Sequence, residues 1–134
     1  MGKFVDELID YKFIYHANGV SEFTINNAEK ELGLKFAEDY RDYLENFGVL
    51  SVEDVEFTGL VGPGRVHVVD ITNQERRKNI EISDEWYVVV FPKSDEETIW
   101  QKASGEVIRV TADGQTTKLA DSLTDYFNHS ILKK

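Results

Sequence analysis

Three histidines, His16, His67 and His129, are the side chains best suited to metal binding or proton transfer. They are scattered along the chain, and none has a second histidine at i+3 or i+4, the spacing of a helical zinc pair. A zinc site would need all three to converge in space. With no cysteine there is neither a thiolate metal site nor a disulfide frame. Serines and histidines are both present, but no Gly-x-Ser-x-Gly elbow marks one serine as a nucleophile. The carboxylate pairs Asp84/Glu85 and Glu96/Glu97 are neighbours in polar turns, where water keeps both ionised. Acid catalysis needs one of a pair desolvated and raised in pKa. Gly62-Pro63-Gly64 lacks the Gly-Lys-Ser/Thr and the helix that a phosphate-cradling loop requires. Arg76-Arg77-Lys78 could draw an anion, but cations in a last helical turn already complement the helix dipole. The expectation is a protein with no metal, no cofactor and no turnover.

Charge says more than any motif. The chain has 134 residues and a net charge of −10, unevenly spread. From Glu38 to Glu56 the net charge is −6, and from Glu81 to Glu97 it is −5. Such segments repel phosphates, which excludes direct nucleic-acid binding, and they steer a basic protein inward. The same acidity also serves solubility alone, so both readings stand. Trp86 and Trp100 are the aromatic side chains to place: core if buried, interface anchors if exposed beside acids. Trp86 belongs to the run WYVVVF and reads as core, whereas Trp100 fits either role.

The elements that position these residues follow from periodicity. Phe4, Leu8 and Tyr11 stand at i, i+4 and i+7, giving a helix over Lys3 to about Lys12, with Phe13 to Tyr15 as an apolar continuation. Ile25, Ala28 and Leu32 share one face of a second helix, which Gly33 closes as a C-cap. Tyr40, Tyr43, Leu44 and Phe47 repeat the pattern in a third, with Gly48 read as its closing residue. From Val49 the period shortens to that of a strand, and Val49 to Val52 with Val55 onward suggests a hairpin. His67 to Val69 reads as a short strand, then a helix over Ile71 to Asn79 capped by Asp70. Trp86 to Phe91 is apolar on both parities, as a strand covered on both faces must be. Thr98 to Gln101 and Val107 to Val110 complete an antiparallel meander, and Ser122 or Asp121 can cap a closing helix carrying Leu123, Tyr126 and Phe127.

Those two central helices carry a resemblance. Ile25, Ala28-Glu29, Leu32-Gly33, then Tyr40-Arg41, Tyr43-Leu44, Phe47 and Gly48, resemble the signature of the SUKH superfamily over about a fifth of the chain. That superfamily includes bacterial immunity proteins and fungal regulators of cell-wall synthesis. Its members usually open the second of these helices with Leu-Pro, where this chain has Phe36-Ala37. The resemblance implies an α+β fold and a non-enzymatic role in binding another protein.

The reading is therefore a single SUKH-like domain over residues 1–134. It is an antiparallel sheet of about five to six strands, with helices from both chain ends packed on one side. The implied function is an immunity protein that neutralises a cognate secreted toxin by occlusion, a nuclease's basic groove being one such target. The alternative is a regulatory or scaffold protein that binds a cellular enzyme. Partner contacts are assigned to Glu53, Asp54, Glu56, Asp95, Glu96 and Glu97, with Trp100 at their edge. The start, Met-Gly-Lys-Phe-Val-Asp-Glu, lacks a signal peptide's basic-then-apolar layout, and Asp6 stands where a myristoylation motif wants Ser or Thr. No apolar run approaches the ~20 residues of a membrane span, so a cytoplasmic location is expected. Elemental analysis of protein purified without chelator should show no stoichiometric transition metal.

Overall fold

The computed structural model describes residues 3–10, 14–52, 55–62, 67–78, 82–91 and 97–131. In chain order the elements are α1 (Lys3–Asp10), β1 (Ile14–Asn18), α2 (Glu22–Leu32), α3 (Glu38–Asn46), β2 (Phe47–Val52), β3 (Val55–Phe57) and α4 (Val68–Lys78). Then come β4 (Tyr87–Phe91), β5 (Glu97–Gln101), β6 (Val107–Thr111), β7 (Thr116–Ala120) and α5 (Leu123–Tyr126), which runs into a π-helical turn over Phe127–Ile131. Among the described residues the strands form one antiparallel sheet in the order β1-β2-β3-β4-β5-β6-β7. The fold is α+β, with seven strands rather than five or six.

The two extra strands are the ones with the weakest local signal. Ile14 to Asn18 follows an apolar helix and reads as its tail, yet it pairs with β2 from Ile14↔Val52 to Asn18↔Phe47. Thr116–Ala120 exposes its first three side chains and has no apolar alternation, but its backbone completes the ladder with β6. Conversely, His67 to Val69 is no strand: His67 makes an isolated bridge to Gly59, and α4 begins at Val68. Asp70 consequently lies inside the first turn of α4 instead of capping it.

The helix reading of α2 holds in detail. Ser21 caps it, its hydroxyl accepting from the Thr24 amide at 3.2 Å. Gly33 takes φ +70°, the left-handed region that favours glycine, and its N–H bonds the Glu29 carbonyl at 2.8 Å. Gly48 does not cap α3, which ends at Asn46; Gly48 lies within β2. Glycine is needed there for room. A Cβ on Gly48 would run into the Val61 side chain, and one on Gly59 into the Gly48 carbonyl. That close approach lets the Leu60 amide donate to the Gly48 oxygen at 2.8 Å.

Alternation along β4, β5 and β6 divides the interior between two faces. One face carries the larger cluster: Phe4 and Leu8 of α1, Ile25 and Leu32 of α2, Tyr40, Tyr43 and Leu44 of α3, and Leu123 and Phe127 from the chain's end. Phe47, Phe57, Tyr87 and Val90 meet them from the sheet. The other face holds Val88, Trp100, Ile108 and Val110 beneath Ile71 of α4. Helices from both chain ends thus pack on one side, as expected, while α4 lays Ile71 on the other and gives Val68 and Val69 to the larger cluster. Ile25, Leu32, Leu44, Phe47 and Val90 are buried in the larger cluster and Val88 in the second.

β3 is only three residues long, so beyond Phe57 the β4 backbone loses its strand neighbour. Side chains and one amide replace it. The Thr58 amide donates to the Val89 oxygen at 2.9 Å, the Thr58 hydroxyl to the Val88 oxygen at 2.7 Å, and the Val88 amide to the Thr72 hydroxyl at 3.0 Å. Buried backbone groups must be paired somewhere, and these threonines do it. Leu44 is fully buried at the centre of the larger cluster. Leu44→Ala should therefore lower the unfolding free energy by about 2–5 kcal/mol, read from denaturant titration.

Candidate interaction surface

The connection between α2 and α3 is held by buried polar groups. Glu29, only 4% exposed, accepts from the Phe36 amide at 2.8 Å and pairs with Arg41 at 2.9 Å. Arg41 also donates to Asn26 on the surface of α2. Ala37, where a proline would offer no N–H, donates its amide to the Tyr87 hydroxyl at 2.8 Å. Tyr87 in turn donates to the Gln101 side-chain oxygen at 2.7 Å. The Gln101 amide nitrogen donates to Asp39 at 3.0 Å and to the Gly105 carbonyl at 3.0 Å. The second oxygen of Asp39 accepts from the Leu123 amide at 2.8 Å, where α5 begins.

Burial raises the Asp39 pKa above its ordinary value, against the lowering effect of these hydrogen bonds. Burial also pushes the hydroxyls of Tyr40, Tyr43 and Tyr87 well above the usual tyrosine range, so all three remain neutral donors. Tyr40 and Tyr43 bond Thr58, through its hydroxyl and its carbonyl, at 2.8 and 2.9 Å. These groups are spent on positioning backbone, and their chemistry is structural. Sequence periodicity identified the tyrosines as core but not this network. Glu29 carried one signal, since it sits on the buried side of α2 between Ala28 and Leu32.

The predicted contact residues fare unequally. Glu53, Asp54, Asp95 and Glu96 lie outside the described residues. Glu56 is half-buried on β3, opposite Ser51 and Phe91. Glu97 is exposed at the start of β5, 3.7 Å from Arg109. It is close enough to contribute, after burial, to raising the Tyr126 hydroxyl to about 12. Glu97 has the parity of Ile99 and so faces the larger cluster's side, whereas Glu56 alternates with Phe57 and faces the other. The two share an end of the sheet but not a face.

Trp100 corrects the sequence reading. It is fully buried in the second cluster, its indole N–H donating to the Thr98 hydroxyl at 2.6 Å, and it presents nothing to a partner. Strand parity places it between Val88 and Ile108, a registration that only the pairing reveals. Among the described residues an aromatic side chain that does stand in solvent is Phe23, 75% exposed in the first turn of α2. Its signal was available, because it lies off the Ile25–Ala28–Leu32 stripe.

His16 and His129 are exposed, and His16 sets its ring edge-on to Phe47 at 4.8 Å. Among the described residues no three histidine or acidic side chains come together as metal ligands. Nor is any helix among them long and apolar enough to cross a membrane. A family model described as SMI1-KNR4 cell-wall, a SUKH family, matches residues 1–132. No curated protein matches the sequence.

The Asp39 junction gives a pH-dependent expectation. A carboxyl whose folded pKa is raised contributes most to stability below its unfolded value, near 3.8, and that contribution fades as pH rises through the folded value. Asp39→Asn turns an N–H group toward a backbone or side-chain donor and should lower the melting temperature. The deficit relative to the unmodified protein should narrow as pH is raised from about 3 to about 6 in thermal melts.

Proposed function

We propose that this chain, which belongs to the SMI1-KNR4 family of SUKH proteins, is a non-enzymatic immunity protein that binds a cognate protein toxin and occludes its working surface. Family membership supports a role in binding another protein. The observation that supports the finer reading is the strand pairing. Val52 pairs with Val55, Glu56 with Phe91, and Glu97 with Thr111. The β2–β3, β4–β5 and β6–β7 connections therefore all leave the sheet from one end. In sequence they carry five acids, Glu53, Asp54, Asp95, Glu96 and Asp113, against one cation, Lys93. Glu56 and Glu97, next to them in sequence, face opposite sides of the sheet, so the proposed contact is with this end of the sheet rather than with a face.

The physics suits a basic target such as the substrate groove of a nuclease. Concentrated negative charge accelerates encounter with a positive surface and disfavours neutral or acidic competitors. Occlusion needs no chemistry from the blocker, only area and complementarity. Action in the cytoplasm of the producing cell belongs to the same reading. The cell-wall description of the family favours a second one, a regulator that binds a cellular enzyme. A neighbouring gene for a large secreted toxin would distinguish them.

Reversing Asp54 and Glu96 to lysine should slow association with the cognate toxin and flatten its salt dependence, with the melting temperature nearly unchanged. Stopped-flow or biosensor kinetics at two salt concentrations measure this, since screening acts beyond about 8–10 Å. An unchanged association rate in the reversal variant would remove the acidic end from the mechanism and leave its charge to solubility.

A further inference from the structure

We draw no further inference here: the strongest candidate, the open groove between residues 33–35 after α2, the turn at residues 84 and 85 and residues 102–104 between β5 and β6, is edged by Lys35 and Lys102 against Asp84 and Glu85, whose charges cancel, and nothing in the structure shows what covers it.

Discussion

The α2–α3 connection buries Phe36 and Ala37, and side chains from several elements pair their two amides. An unpaired buried donor costs about 1–3 kcal/mol, and an unpaired buried charge more. Glu29 takes the Phe36 amide and is neutralised by Arg41; Tyr87 takes the Ala37 amide and hands its own proton to Gln101. Gln101 and the Leu123 amide then satisfy both oxygens of Asp39. Through five side chains, α2, α3, β4, β5 and α5 are fixed to one another by groups that each depend on the next. Removing any one leaves its neighbour unsatisfied, so the network specifies a single arrangement of the helices over the sheet.

The same rule explains the middle of the sheet. A three-residue β3 cannot pair all of β4, and the gap is closed by Thr58 on one side and Thr72 of α4 on the other. Thr58 also receives Tyr40 and Tyr43, which ties the gap to the helical side. Hydrogen bonding therefore joins two apolar clusters that do not merge, one under α1, α3 and α5 and one under α4. Aromatic packing reinforces the larger: Phe36, Tyr40 and Tyr87 meet with ring centroids 4.8 to 5.1 Å apart.

These aromatic residues are committed to the interior, and the surface is left to other side chains. Trp100 is consumed by the core, and Phe23 is not. The acids divide likewise: Glu29 and Asp39 hold structure, while Glu22, Glu38, Glu45 and Glu97 remain at the surface. In the proposed reading the surface acids are left to meet a partner, while Glu29 and Asp39 hold the α2–α3 connection and the start of α5.

Wherever a segment's own residues decided its state, the sequence by itself determined it. The i, i+3, i+7 stripe of α2, the left-handed Gly33, the acidic first turn of α3, the two-sided apolar run of β4 and the Ser122 cap of α5 are local features, and each is where periodicity placed it. The charge imbalance and the family signature are equally local. Tertiary structure alone decided what depends on a partner far along the chain. Thr116–Ala120 is a strand because β6 offers it a ladder, not because of its composition. Gly48 is a point of close approach because Gly59 and Val61 arrive across β2. Trp100 is buried, and Glu56 and Glu97 face opposite sides, because strand register assigns every side chain to a face, and a shift of one residue would exchange them.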